Sequence, residues 1–305
     1  MPKAILLFSG GLDSLLSFQI LKKQGVEVVP VCFESYFFGC GQAKKTAGQN
    51  GLEVRAVNMA EDQLKVVKEP KHGRGQHLNP CVDCHLLMLK KAKEIMILEK
   101  ADFIATGDVL GQRPFSQNNN TFQMMEKQAG LEGLILRPLS AKFLPETIPE
   151  KQGLVKREEL FDLQSKSRKG QLELVKKFGI EYFPQPAGGC VLTDPQFSER
   201  LGELMKRDPG FDGNDIQVLK NGRVFFEDGY FVTVARDQIE SEEITKLRKE
   251  EDLLLEPDNF AGPTVLIRYF NGISQEGRGQ AIERGRELLL RHSKNPPKEA
   301  GAKVS

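Results

Sequence analysis

Ser9-Gly10-Gly11-Leu12-Asp13-Ser14 stands between the apolar run Ala4-Ile5-Leu6-Leu7-Phe8 and the helix-forming Leu15-Leu16-Ser17-Phe18-Gln19-Ile20-Leu21, so it occupies a strand-to-helix turn. Such a turn is suited to phosphate. Two adjacent glycines let the backbone approach an anion closely, and the unpaired amides and dipole of the following helix favour negative charge. Ser9 and Ser14 add hydroxyl donors. Asp13 is a different signal, because a carboxylate repels phosphate unless a cation lies between them, which points to Mg2+. The lysine of the Gly-x-x-x-x-Gly-Lys-Ser/Thr loop has no counterpart here. An ordinary Gly-Gly turn with a capped helix uses the same residue types, and spacing alone leaves that reading open.

The cysteines form the second constellation. Cys81-Val82-Asp83-Cys84 follows Asn79-Pro80 and opens a helical pattern, while Cys190 lies far along the chain behind Gly188-Gly189. Two thiols at this spacing can share one metal, and a helix amino terminus is expected to lower their thiolate pKa. Three chemistries remain open: zinc, with His85 or His77 completing the set; a redox pair of Cys81 and Cys84; or an iron-sulfur cluster on Cys81, Cys84 and Cys190, with one iron left open to sulfide. Cys32 reads as a small hydrophobe within its strand. Cys40, between Gly39 and Gly41, is expected to be flexible and exposed, with no assigned role.

The elements that must position these groups follow from periodicity. Lys3–Phe8, Val26–Phe33, Leu52–Met59 and Ala101–Gly107 read as strands, alternating with helical patterns at Asp13–Gln24 and near Val82–Lys100. This alternation predicts an α/β fold with a parallel sheet, whose ligands bind at the carboxyl ends of the strands. Gly107 and Asp108 would then share an edge with the Ser9 loop, where Asp108 is placed to orient a nucleotide or metal and Arg113 to balance phosphate charge. Ser140–Ile180 is lysine-rich and helical in pattern, with Arg168 and Lys169 available to RNA phosphates, and Tyr182–Gly189 is a Pro/Gly loop. A smaller α+β unit is expected beyond it: a helix at Pro195–Arg207; strands at Ile216–Leu219, Arg223–Glu227, Tyr230–Ala235 and Thr264–Tyr269; turns at Asn221-Gly222 and Asp228-Gly229; and a closing helix at Gln280–His292. Phe225, Phe226, Tyr230 and Phe231 read as hairpin core more readily than as base-stacking residues. The expected domains are 1–195, 196–295 and a frayed tail at 296–305.

Composition sets the outer limits. A chain of 305 residues is large enough for more than one core, and a net charge of +1 argues against a uniformly basic coat, leaving any RNA site to a local patch. No apolar stretch approaches a membrane span, and Met1-Pro2-Lys3 leads directly into a strand, so a cytoplasmic protein is expected. Five cysteines in that setting suggest catalysis or metal binding over a disulfide framework.

The Ser9–Ser14 hexapeptide matches the Ser-Gly-Gly-x-Asp-Ser signature of the PP-loop ATP pyrophosphatases. Together with Asn79-Pro80-Cys81-Val82-Asp83-Cys84-His85, Ala105-Thr106-Gly107-Asp108 and Ala187-Gly188-Gly189-Cys190-Val191-Leu192-Thr193-Asp194, it resembles the PP-loop tRNA thiolation enzymes over about residues 1–195. These are the 2-thiouridylases and 4-thiouridine synthases, including a branch with Cys-x-x-Cys and one distant Cys. Where 2-thiouridylases usually carry Thr-Gly-His, this chain has Thr-Gly-Asp. The resemblance implies an ATP-dependent enzyme that adenylates a uridine carbonyl oxygen and replaces it with sulfur. Ser9, Gly10, Gly11, Asp13, Ser14, Gly107 and Asp108 would hold ATP and Mg2+, with Asp13 and the three cysteines catalytic, and Cys81, Cys84 and Cys190 holding a [4Fe-4S] cluster. The implied partners are tRNA and sulfide or a sulfur-donor protein, with a homodimer allowed and no membrane. Val218–Gly272 has a faint likeness to an NFACT-type RNA-binding domain. The competing readings are a persulfide enzyme without a cluster, an amide-forming PP-loop ligase, and a noncatalytic RNA-binding protein with structural zinc.

Overall fold

The computed structural model describes residues 1–185, 190–296 and 301–305, which divide into two compact units, Met1–Cys190 and Val191–Ser305. In the first, strands β1 (Lys3–Leu7), β2 (Glu27–Glu34), β3 (Arg55–Asn58), β4 (Phe103–Thr106) and β5 (Ile135–Leu136) form one parallel sheet in the order β3-β2-β1-β4-β5. Helices α1 (Leu12–Lys23), α2 (Gly41–Gln49), α3 (Ala60–Lys68), α4 (Cys81–Leu98) and α5 (Asn119–Ala129) lie in the connections, followed by the short α6 (Ile148–Lys151) and by α7 (Lys169–Phe178).

Both faces of this sheet are covered, which is why β1 and β4 read as continuous apolar runs rather than alternating ones. Ala4, Leu6, Phe103 and Ala105 join one core with Leu12, Leu15, Leu16 and Leu21 of α1. Ile5 and Ile104 join the other with Leu86, Leu89, Ala92 and Ile95 of α4. Each fully buried leucine contributes roughly 1.5–3 kcal/mol. The strand order reverses direction between β1 and β4, whose partners run from Ala4↔Phe103 to Leu7↔Thr106. In an open parallel sheet that reversal leaves a crevice beyond the carboxyl ends, bounded here by the Ser9–Ser14 loop and by Gly107-Asp108.

The second unit has α8 (Pro195–Arg207), α9 (Gly213–Lys220), β6 (Arg223–Glu227), β7 (Tyr230–Val234), α10 (Gln238–Lys246), β8 (Leu253–Pro257), β9 (Val265–Tyr269), α11 (Gln275–Arg291) and β10 (Ala302–Val304). Its sheet is antiparallel in the order β10-β8-β9-β7-β6. Asp228-Gly229 turns the β6–β7 hairpin, with Gly229 at φ +87°. Phe231 is fully buried against Phe226 and Phe270, and Tyr230 is buried beside it, so these aromatics form core.

Several elements differ from the expectations. Ile216–Leu219 lies in α9, not in a strand: Asp212 caps this helix by accepting from the Asn214 and Asp215 amides, and the capping outweighs the β-branched residues inside it. The tail is not wholly frayed, because Ala302–Val304 pairs antiparallel with Leu255–Pro257. Within Ser140–Ile180, only α6 and α7 are α-helical. Gly188-Gly189 and the rest of 186–189 lie outside the described residues.

Arg268, on β9, is nearly completely buried and donates to Asp252, Asp215 and Asn214. Removing one partner of a buried ionic network strands the other charges. Arg268→Ala is expected to destabilise the second unit by about 3–5 kcal/mol, read as a lower urea midpoint.

Candidate functional site

The Ser9–Ser14 turn is built on two backbone contacts that exclude a side chain. Gly10 has φ +77°, and a Cβ there would meet Ala43 Cα at 2.5 Å and Gln42 O at 2.7 Å. A Cβ on Gly107 would meet Ser14 N at 2.6 Å. The turn is therefore held between α2 and the end of β4. Thr46 Oγ1 donates to Gly10 O at 2.9 Å and Ser14 Oγ to Gly11 O at 2.9 Å, and Ser17 Oγ reaches Thr106 O at 3.4 Å. Gly11 caps α1 with extended backbone, so the first amides of the helix point toward the crevice.

Asp13 lies in the first turn of α1. Its Oδ2 accepts from Gln112 Nε2 at 3.1 Å, whereas its Oδ1 is buried without a partner. Burial pushes this carboxyl up, the Gln112 and Gln171 amides and the Arg168 guanidinium pull it part of the way back, and Asp108 adds to the rise. An orphaned, buried carboxylate oxygen beside a phosphate-type turn has the donor chemistry of a hard cation site, so Mg2+ fits here. Asp108 is held differently. Burial would raise it, but the electrostatic influence of His85 and Arg137 and the hydrogen bonds from Gln117 (2.9 Å) and Thr106 (2.8 Å) outweigh that effect and hold it low.

Cys81 is the first residue of α4, with Pro80 at its cap. As a crossover helix between parallel strands, α4 begins at the carboxyl edge of the sheet. The expected lowering of the thiol pKa values does not occur. Burial pushes the Cys81 thiol up, with Arg113 partly offsetting it, and burial pushes Cys84 up to about 12, with Gln63 opposing and the neighbouring Cys190 and Cys81 adding to the rise. Desolvation of a thiolate thus exceeds what the helix dipole returns. Gln63 Nε2 donates to Cys84 Sγ at 3.2 Å, and Cys190 Sγ lies 3.7 Å from Phe37 O.

None of these three cysteines is in a disulfide. Cys32 and Cys40 are, and Cys40 is buried, not exposed as expected: the two cysteines lie eight positions apart, and the turn after β2 folds Cys40 back onto its strand partner. Among the described residues, no group of three or more His, Cys, Asp or Glu is arranged to hold a metal ion. Cys81 and Cys190 lie near enough to Cys84 to add to the rise of its pKa. His85 is not among these neighbours; burial lowers its pKa, and it acts on Asp108. His77 lies on the exposed loop before α4.

Four side chains were missed by sequence reasoning. Gln63 and Gln112 support Cys84 and Asp13, and Gln171 lies fully buried beside Asp13. His72 donates its backbone amide to Asp83 at 2.9 Å, and its Nδ1 lies 2.7 Å from Asp83 Oδ1, pinning the loop that precedes Cys81. The one readable signal was at Gln171, a polar residue on the buried stripe that continues through Leu174.

The family model described as "ThiI: Thiamine biosynthesis protein (ThiI)" matches residues 1–142, which contain the β1–α1 turn, Cys81, Cys84 and Asp108. That match takes in a little under half of the chain, including the whole Ser9–Ser14 turn. The "tRNA-specific 2-thiouridylase MnmA" of Caldicellulosiruptor saccharolyticus is 23% identical over 249 residues, covering 73% of this chain and 63% of the relative. The "Probable tRNA sulfurtransferase" of Thermococcus kodakarensis is 30% identical over 192 residues, covering 60% of this chain and 45% of the relative. The chain thus spans less than two thirds of the length of either relative. A solved structure titled "Crystal structure of a 4-thiouridine synthetase - RNA complex with bound ATP" aligns over 72% of this chain and 52% of that one, with 21% identity and a TM-score of 0.41. Among the described residues, no helix is long and apolar enough to cross a membrane.

With a pKa of about 12, Cys84 is almost wholly protonated at neutral pH. In metal-free protein at pH 8, about one molecule in ten thousand carries the thiolate, so iodoacetamide should label Cys84 orders of magnitude more slowly than a free thiol. Site-resolved mass spectrometry checks this, and fast labelling would contradict it.

Proposed function

We propose that this protein is an ATP-dependent tRNA sulfurtransferase acting on a uridine. The observation that carries the reading is that a phosphate-type turn with an orphaned Asp13 oxygen and a set of non-disulfide cysteines converge on one edge of one sheet. An amide-forming ligase has no use for those thiols. A noncatalytic protein has no use for a buried Asp13 Oδ1 without a partner.

The reaction is redox-neutral. The uridine carbonyl oxygen attacks the α-phosphorus of ATP and pyrophosphate leaves, which turns a poor leaving group into a phosphate ester. Hydrosulfide then adds at that carbon, AMP departs with the original oxygen, and one proton is lost. Backbone amides at Gly11–Ser14 would face the phosphates, Ser9 and Ser14 would add hydroxyls, and Asp13 would hold Mg2+, which when bound would offset phosphate charge. Gly107 permits the close approach of β4 to this turn, and Asp108 stays ionised beside it. The base must leave its stack to reach the site.

The finer reading assigns Cys81, Cys84 and Cys190 to one [4Fe-4S] cluster. When bound, such a cluster offers an iron without a protein ligand, where sulfide can be held for transfer. The chain's own contribution is a buried Cys84 with half-buried Cys81 one helical turn away, Gln63 fixing Cys84 and the His72–Asp83 pair fixing the start of α4. The second unit is proposed to dock tRNA phosphates.

Asp13→Ala should lower tRNA-dependent pyrophosphate release by about 100-fold or more without changing the circular dichroism spectrum. Undiminished release from the folded variant would remove Asp13 from the mechanism. Single Ala substitutions at Cys81, Cys84 and Cys190 should each abolish both bound iron and thiolation in anaerobically purified protein. Full thiolation by iron-free wild type would instead favour a persulfide on Cys190.

A further inference from the structure

Gln171 stands in the first turn of α7 and is 1% exposed. Neither its Oε1 nor its Nε2 has a hydrogen-bond partner. Its amide acts on Asp13 as a weak hydrogen-bond donor that lowers the carboxyl pKa, without reaching close hydrogen-bond geometry. Asp13 Oδ1 is also buried without a close partner. Buried polar atoms that lack a full hydrogen bond therefore meet at one place, and each weakens the fold while it stays so.

The surroundings say what would pair them. Arg168, at the cap of α7, and the amides at the start of α1 attract an anion. Asp13 and the nearby carboxylate of Asp108 attract a cation. A site that wants both signs suits a metal-bound phosphate. A carboxamide is the one neutral side chain that serves both parts, since its oxygen ligates a hard cation and its nitrogen donates to a phosphate oxygen. Gln171 is also held in place: Gly170 lies against the Leu163 side chain, leaving the start of α7 little freedom to turn the amide away.

We propose that Gln171 is a ligand-binding residue of the nucleotide site, with its Oε1 joining Asp13 Oδ1 on the cation and its Nε2 donating to a phosphate oxygen of bound ATP. This rests on the reading of the Ser9–Ser14 turn as an ATP site. It adds a residue from α7, outside the 1–142 family match, to that site.

A ligand-binding amide and a structural amide make opposite predictions for the ligand-free protein. Gln171→Leu removes the orphaned atoms at nearly constant volume. Its thermal midpoint without ligand should equal or exceed that of the wild type, while its Kd for ATP with Mg2+ should rise by about tenfold or more. In EDTA the difference between the two proteins should largely disappear. A lowered midpoint with unchanged Kd would overturn the proposal, as would equal Mg2+–ATP affinity in both proteins. Wild type that binds no Mg2+–ATP by calorimetry would overturn the nucleotide reading itself, and the proposal with it. If the leucine variant does not fold, Gln171→Glu, which keeps the oxygen, decides: retained Mg2+-dependent ATP binding supports the proposal, and loss of it overturns the assignment of Oε1 to the cation.

Discussion

The backbone of Gly107 lies against the backbone of Asp13 and Ser14 with no room for one additional carbon, and the Gly10 backbone lies as closely against α2. That double contact follows from the parallel pairing of β1 with β4, which delivers both strand ends to the same depth. It fixes where α1 begins, and so which amides face the crevice. It also fixes the direction of Asp13, whose outer oxygen takes the Gln112 amide while its inner oxygen remains unpaired. A wider separation would admit water to the inner oxygen and remove the demand for a cation.

Burial has opposite consequences on the two sides of the crevice. Asp108 stays ionised in a desolvated setting because fixed positive charge and two hydrogen bonds outweigh the desolvation. Cys81 and Cys84 have no comparable compensation, so their thiols stay protonated and the helix start does not activate them. A thiolate at Cys81 or Cys84 therefore calls for added positive charge. A metal ion would supply that charge and release protons as it bound, which makes affinity for metal depend on pH.

The disulfide between Cys32 and Cys40 belongs to the same economy of position. It joins β2 to the cap of α2, the helix on which Gly10 rests, and so steadies the far wall of the nucleotide turn. The second unit solves a separate problem. Its antiparallel sheet buries Arg268 among carboxylates, and its aromatic hairpin is spent on core.

Local sequence was enough for the features set by near neighbours. The strand-turn-helix at Ser9–Ser14 was legible because two glycines, a run of aliphatics and a helical repeat agree with one another, and the parallel sheet was legible because its strands, buried on both faces, read as unbroken apolar runs. Cys81 and Cys84 were legible as a pair because one helical turn separates them. What only the tertiary structure decided depends on desolvation and on contacts distant in sequence: that Cys40 folds back to Cys32, that Gln171 comes to face Asp13 across 158 positions, and that burial overrides the helix dipole at the thiols. A sequence displays which groups are present and their local spacing. The free energy of a charge depends on how much water and which distant dipoles surround it, and only the folded chain sets those.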